Sequence, residues 1–442
     1  MGNDTTKLLG LEGVQVTGVE LDDDGVPWVM LLTDAESARH CPMCGFRSES
    51  PHSNVEARPR DLALAGRRTE LIWRKRRWRC MEPTCPKVTF TEAIPQIPAR
   101  SRLTGRLRAQ LGRDVGDRGR TVAQAGRDHG VSWPTVMNAV HAHGADALPQ
   151  QDPRVEALGI DETRRGKAKF AYDPATETWH TIRDMWHVGF VDLYGGAGLL
   201  GQAEGRFAET VATWINTHDA RWKAAVKFVA IDMCQIFASA VRAELPDATL
   251  VVDRFHVVQL ANRMVSEVRR RVTVKVRGRR GRKGNREWEL RNKLTRSAAK
   301  TNASLLDPMI DDLKALPREI GEPIIKAWNC KEDLMDLLAL THANPSRHEI
   351  YLRLERFYES CAASGIPECE TLAQTVSTWR REIAAAILSG VSNAGSEGHN
   401  RVIKTDARCA YGYRNPVNQR LRTRLATTRR GRGCLETKTK HG

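Results

Sequence analysis

The chain has 442 residues, too many for one compact core and enough for two to four domains of roughly 100 to 200 residues each. Its 69 Lys and Arg against 53 Asp and Glu leave a formal charge of +16, so the expected partner is a polyanion such as nucleic acid. No apolar run reaches the roughly 18 residues of a membrane span and no basic-then-apolar secretion signal opens the chain, which excludes a membrane partner and points to a soluble, intracellular protein.

Residues 12 to 33 alternate apolar positions (Val14, Val16, Val19, then Val26, Val29, Leu31) about Asp23-Asp24-Gly25, the pattern of a β-hairpin with Pro27 at the start or edge of its second strand. Two cysteine pairs follow, Cys41 with Cys44 and Cys80 with Cys85. In a reducing compartment spaced cysteines bind metal, and two knuckles of this spacing form a zinc ribbon, with four thiolates around one structural Zn2+. His40 and His52 are spare ligands. The other six cysteines are scattered and are expected to be packing residues or free thiols. Arg74, Lys75, Arg76 and Arg77 form a basic strand beside Trp73 and Trp78, suited to phosphate contact or simply solvated.

Residues 122 to 142 carry helical apolar spacing on either side of Gly130-Val131-Ser132, which predicts a helix-turn-helix. Gly126 allows close approach, Gly130 supplies the left-handed turn, Ser132 caps the second helix, and Val136 and Val140 anchor it. Trp133, Thr135, Asn138 and His141 would then face a DNA major groove. A plain helical hairpin has the same pattern.

Beyond a linker at 149 to 153, strands are expected over 155–161, 186–194, 197–201, 226–232 and 249–253, with helices near 207–216 and 235–244, giving a mixed α/β sheet. Residues 262 to 388 become helical and charged, with apolar repeats about Trp288, Leu305, Ile324, Trp328, Leu337, Leu352 and Trp379. Within them, Arg269 to Lys283 holds nine basic residues, among them Arg279, Arg280, Arg282 and Lys283, interrupted by Gly278 and Gly281. That run is expected to stay unpacked until it meets DNA. The basic stretch Arg420 to Arg432 is expected to add sequence-independent affinity.

Two apolar strands end in carboxylates, at Asp161 and Asp232, and a third acid, Glu397, sits in the first turn of a helix far downstream. A carboxylate at the carboxyl end of a buried strand caps a turn or binds something. Three converging carboxylates would supply the hard oxygen ligands that two divalent ions need in phosphodiester cleavage. Asp253, one helix and one strand past Asp232, is the alternative acid for that position, although the adjacent Phe255 and His256 favour a supporting role and Asp232 is preferred.

The cysteine knuckles with Trp78-Arg79-Cys80 and Phe90-Thr91-Glu92, the helix-turn-helix, Gly159-Ile160-Asp161-Glu162, Ala230-Ile231-Asp232-Met233, Val251 to Val257, Ser392-Asn393 with Glu397-Gly398 and Asn400, and Arg408 with Tyr411-Gly412-Tyr413 occur in an order that resembles the DDE transposases of the insertion-sequence family ISL-three. The resemblance spans nearly the whole chain. It implies a multidomain α/β protein: a β-rich zinc-ribbon domain (1–100), a helix-turn-helix domain (101–148), a ribonuclease H-like sheet in two parts (149–260 and 389–442, the latter with the basic tail), and a helical insertion between them (261–388). It further implies Asp161, Asp232 and Glu397 as catalytic ligands of two Mg2+ or Mn2+ ions, double-stranded DNA (terminal inverted repeats and target) as partner, at least a dimer on paired ends, and a prokaryotic, cytoplasmic, nucleoid-associated location. A non-catalytic zinc-ribbon and helix-turn-helix regulator and a metal-dependent nuclease without strand transfer are the alternatives. The polar stretch from Arg165 to Thr181 is longer than the family pattern and leaves the sheet edge open to question.

Overall fold

In the computed structural model, which describes residues 4–434 apart from 65, 150 and 184, a short helix α1 (Asp4–Leu9) leads into the hairpin β1 (Val14–Leu21) and β2 (Pro27–Thr33). The strands pair antiparallel from Val14–Thr33 to Leu21–Pro27, and Gly25 turns the chain at φ 72°. Strands β3 (Pro51–Ala57), β4 (Glu70–Arg79) and β5 (Thr89–Thr91) complete a five-stranded sheet in the order β1-β2-β4-β3, with β5 also on β4. Its core holds Val14, Val16, Val29, Leu31, Leu71 and Trp73. Helices α2 (Gly105–Gly116), α3 (Val122–Asp128) and α4 (Trp133–Ala147) then pack about Leu107, Leu111, Ala125, Val136 and Val140.

The next strands are β6 (Ala157–Arg164), β7 (Lys169–Asp173), β8 (Thr178–Arg183), β9 (Trp186–Asp192) and β10 (Gly198–Glu204). Helices α5 (Ala208–Ile215) and α6 (Ala220–Ala225) precede β11 (Phe228–Ile231), and α7 (Gln235–Glu244) links it to β12 (Thr249–Val252). Five of these strands form one sheet in the order β10-β9-β6-β11-β12, antiparallel from β10 to β6 and parallel from β6 to β12. This is a ribonuclease H-like mixed sheet. The polar stretch that left the sheet edge in question does not enter it: β7 and β8 pair only with each other, as a two-stranded ribbon exposing Phe170, Tyr172 and Trp179.

A helical region follows: α8 (Arg254–Arg277), α9 (Arg286–Glu289), α10 (Ala303–Lys314), α11 (Arg318–Ala339), α12 (Arg347–Ser364), α13 (Pro367–Thr378) and α14 (Arg380–Ser389), and after it α15 (Ala394–Cys409) and α16 (Pro416–Thr427). The chain forms two compact units, one from residues up to 150 together with those from 405 onward, the other from 151 to 404.

Several expectations change here. Helix α8 begins at Arg254, directly after β12, so sheet and helical region share one continuous element across 260/261. The basic run is not unpacked over its first half, because Val265, Val268 and Val272 recur at helical spacing and bury one face of α8, drawing in even Arg269. Arg271 pairs with Glu368 and Arg277 with the buried Glu287. Leu305 and Leu352 face solvent. The basic C-terminal stretch is mostly a packed helix, with Leu425 of α16 in the core of α2 and α4. Of the six scattered cysteines, Cys330, Cys361 and Cys369 are buried in the helical region.

Candidate active site and DNA-contacting modules

Strand register brings the strand-end acids together. Ala230 lies opposite Gly159 across β11 and β6, and Ile231 lies opposite Val252 across β11 and β12. Continuing those registers sets Asp161, Asp232 and Asp253 side by side across three adjacent parallel strands; Asp232 and Asp253 follow the last residues of β11 and β12, whereas β6, expected to end at Asp161, runs on to Arg164 along β9. Parity decides their face. Leu158, Ile160, Val229, Ile231, Leu250 and Val252 belong to the large core on one side, whereas Ala230 and Val251 pack with Ala386 and Val391 on the other. Residues two further along, Asp232 and Asp253, share that second side, as Asp161 does with Gly159.

Helix α15 covers this side. A Cβ on Gly159 would collide with Ser396 Oγ and lie 2.6 Å from Asn393 Oδ1, so only glycine lets the start of α15 approach so closely. Asn393 Nδ2 donates to Ile160 O at 3.2 Å, and one helical face further on Asn400 Nδ2 donates to Asp161 Oδ2 at 2.5 Å. Glu397 lies between these anchors on the same helix, half-exposed and 3.3 Å from Arg401.

The electrostatics are those of crowded acids. Burial and then the charge of Asp232 push the Asp161 carboxyl up to about 7, against the Glu162 N–H that donates to it at 2.7 Å. Asp253 is also raised, first by burial and then by Asp232 and Glu397, while the Phe255 N–H it caps at the start of α8 opposes this. His256 Nε2 lies 2.8 Å from Asp232 Oδ1, and this pairing raises the imidazole despite its burial. The contact is a close ion pair rather than a well-directed hydrogen bond, since the buried Asp232 Oδ1 has no hydrogen-bond partner. Orphaned carboxylate oxygen, repelling acids and hard oxygen donors together suit divalent cations of the magnesium type. Among the described residues, however, no three carboxylates have their oxygens within 4.8 Å of one another; the one cluster of potential metal ligands that tight is the four-cysteine set.

Cys41, Cys44, Cys80 and Cys85 form that set. Sγ–Sγ separations are 4.0 Å for Cys41–Cys85 and 3.5 Å for Cys44–Cys80, around the roughly 3.8 Å edge of a tetrahedron with zinc–sulfur bonds of about 2.3 Å. Gly45 closes the first knuckle at φ 73°, with Cys41 N donating to Phe46 O. Burial raises the Cys41 thiol, yet the N–H groups of Cys44 and Met43 outweigh it and bring it to about 7, while Cys80 is held up to about 12 by neighbouring thiols despite the Glu82 N–H. Cys41 thus ionises more readily than Cys80 and Cys85, whose thiols are raised. His40 and His52 lie outside the cluster.

The flanking aromatics are not free for DNA. Trp73 is fully buried, and Trp78 packs against Cys41 and Phe90 while its indole donates to Glu92 Oε1 at 3.0 Å. Strand alternation also divides the basic residues of β4, Arg74 and Arg76 on one face and Lys75 and Arg77 on the other. In the helix-turn-helix, Gly130 takes φ 61° and Val136 and Val140 are fully buried, as spacing requires. Trp133 and Asn138 are exposed and Thr135 is half-buried. Ser132 occupies the N-cap position, but its hydroxyl pairs with Thr135 Oγ1 instead of a backbone N–H. His141 is engaged by Asn418 at 2.9 Å. Arg279, Arg280, Arg282 and Lys283 are exposed in the turn after α8. No helix among the described residues is long and apolar enough to cross a membrane.

Asn393 and Asn400, which fasten α15 to β6, and Ser396, which packs against Gly159, were not singled out as site residues from sequence. Their spacing of three and four along one helix was the available signal.

Residues 158–423 match a family model for the ISL3 transposase, residues 37–85 one for the zinc-finger of transposase IS204/IS1001/IS1096/IS1165, and residues 92–144 one for the helix-turn-helix domain of transposase family ISL3. The chain is 25% identical over 427 residues to the transposase for insertion sequence element IS1001 of Bordetella parapertussis, covering 94% of this chain and 96% of that one. It is also similar to a chain of the Drosophila P element transposase strand transfer complex, at 11% identity and a TM-score of 0.37, over 74% of this chain and 93% of that chain.

Proposed function

Because the chain belongs to the ISL3 family of transposases, we propose that it binds the terminal inverted repeats of its insertion sequence, frees a 3′-hydroxyl at each end and joins it to target DNA at a site formed by Asp161, Asp232 and Glu397. The observation that carries this reading is the Asn400–Asp161 hydrogen bond, which fastens the helix bearing Glu397 to the strand bearing Asp161, beside Asp232. Two Mg2+ or Mn2+ ions held by these carboxylates would supply activation of the attacking oxygen and stabilisation of the leaving one.

The chain's own groups prepare that site. Asn400 and the Glu162 N–H engage opposite oxygens of Asp161 and fix its rotamer. His256 holds a proton on Nε2 against Asp232, limiting repulsion among the acids. Asp253, buried and capping α8, serves as a supporting acid rather than the replacement for Asp232. The zinc ribbon and helix-turn-helix bind DNA with Trp133, Thr135 and Asn138 toward the groove, and Arg279, Arg280, Arg282 and Lys283 add backbone contacts. Pairing of two ends calls for at least a dimer, acting at the nucleoid.

The test is incubation of purified protein with an end-containing duplex, a target plasmid and Mg2+. Joined products are expected; cleavage without joining would establish a nuclease, and binding alone a regulator.

A further inference from the structure

Two arginines of the zinc-ribbon domain, Arg58 and Arg60, and Arg102 ahead of α2 converge on the turn of the helix-turn-helix. Two connecting segments, 57–60 and 101–103, line a groove of about 550 Å³ with the turn residues, and Arg58, Arg60 and Arg102 meet Gly130, Ser132 and Thr135 there. The groove is built before any ligand arrives. Arg60 N donates to Arg102 O at 2.9 Å and Thr104 N to Arg60 O at 3.0 Å, which stitches the segments together as backbone. Asp61, its side chain fully enclosed, accepts from Thr104 Oγ1 at 2.6 Å and from Arg106 Nε at 2.8 Å, locking the next residues along both segments.

The arginines differ in what they already do. Arg58 pairs with Glu56 and lies over the Trp28 ring. Arg60 and Arg102 have no carboxylate partner among the described residues, and Arg60 Nη1 lies 3.1 Å from where a Cβ on Gly130 would be. At the same edge, the Ser132 hydroxyl is turned to Thr135 and caps no backbone N–H of α4. Guanidinium groups without a carboxylate partner, gathered in one concavity beside the start of a helix, recognise an oxyanion.

We propose that this groove seats a DNA backbone phosphate, held by Arg60 and Arg102 beside the start of α4, so that the β3–β4 connection of the zinc-ribbon domain and the segment ahead of α2 together fix how α4 enters the DNA groove. This rests on the transposase reading and adds to it a contact made jointly by the two modules, at residues outside the recognition helix. A phosphate contact carries no base information, so its loss weakens all sequences alike and lowers the salt dependence of binding.

The experiment measures binding of full-length wild type, Arg60→Ala, Arg102→Ala and Arg60→Lys to an end-containing duplex and an unrelated duplex across a salt series. Each alanine variant should weaken both duplexes by the same factor and reduce the slope of log affinity against log salt by about one, and Arg60→Lys should restore the slope. Replacing single phosphates by neutral methylphosphonates should find one position whose cost is present in wild type and absent in Arg102→Ala. Arg102 is exposed, so that variant tests the contact even if Arg60→Ala misfolds. Wild-type binding with unchanged slopes in Arg102→Ala, or weakening confined to the end-containing duplex, would overturn the inference; failure of wild type to bind any duplex would overturn the transposase reading itself.

Discussion

Asn400 Nδ2 donates to Asp161 Oδ2 at 2.5 Å, joining residues 239 positions apart and fixing the middle of α15 against the middle of β6. Around that bond the acids of the site are crowded and mutually repelling, which sets the expectations below.

Asp161→Asn, Asp232→Asn and Glu397→Gln should each reduce DNA cleavage on the order of 10³-fold or more, the scale seen when one member of a group acting as a unit is removed, and leave end binding nearly intact. Cleavage and binding are measured on the same labelled duplex. A variant that still cuts at the wild-type rate removes its residue from the site.

Gly159→Ala should displace α15, because the new methyl collides with Ser396 Oγ and Asn393 Oδ1. Overpacking of this kind costs about 1 to 3 kcal/mol, so a lower unfolding midpoint is expected with a fall in cleavage. End binding unchanged beside lost cleavage would locate the damage at the sheet; wild-type cleavage would show that the approach of α15 is not required.

In magnesium-free buffer Asp161 should make stability fall as pH rises. Its folded carboxyl titrates at about 7 against an ordinary 3.8, so between those values the folded state binds more protons than the unfolded one. The protonated carboxyl's contribution is thus complete below about pH 4 and lost on approach to pH 7, and thermal midpoints in Asp161→Asn should lose that part of the slope. Added magnesium should stabilise the wild type increasingly over the same window, since its ligands must be deprotonated.

Cys41→Ser with Cys44→Ser should release zinc and weaken DNA binding together, because four thiols at these separations fit one zinc ion whose binding would stabilise the ribbon. Zinc content by chromogenic chelator and affinity by titration are the paired readouts. Full affinity in a zinc-free double variant would show that the ribbon's fold does not depend on metal.

The two basic regions should separate by assay. Arg429 Nε and Nη2 donate to Gly116 O and Val115 O at the end of α2, and Arg432 bonds Leu425 O and Asp117. Arg429→Ala is therefore expected to cost about 1 to 3 kcal/mol in unfolding experiments. Neutralising Arg279, Arg280, Arg282 and Lys283 should instead lower the salt slope of DNA binding and leave the melting curve in place.

Local signals carried much of the architecture. The hairpin about Gly25, both cysteine knuckles, the turn at Gly130 and the apolar strand before Asp232 are dictated by period, turn chemistry and ligand spacing within a few residues, so they were legible one segment at a time; the strand expected to end at Asp161 instead runs to Arg164, because pairing with β9 carries its polar end along the sheet. Charge was the misleading signal. Arg269, Arg422, Arg429 and Arg432 look solvated in sequence but are packed or bonded, because valines at helical spacing or nearby backbone carbonyls supply burial and partners that only appear once distant segments meet.

The sequence alone determined which acids follow apolar strand segments and which residues can bind zinc, since both follow from local pattern. Tertiary structure decided that parallel register sets Asp161, Asp232 and Asp253 on one face, that the missing side chain of Gly159 admits α15, and that His256 pairs with Asp232. Those outcomes depend on contacts between residues far apart in the chain, whose energies no local periodicity encodes.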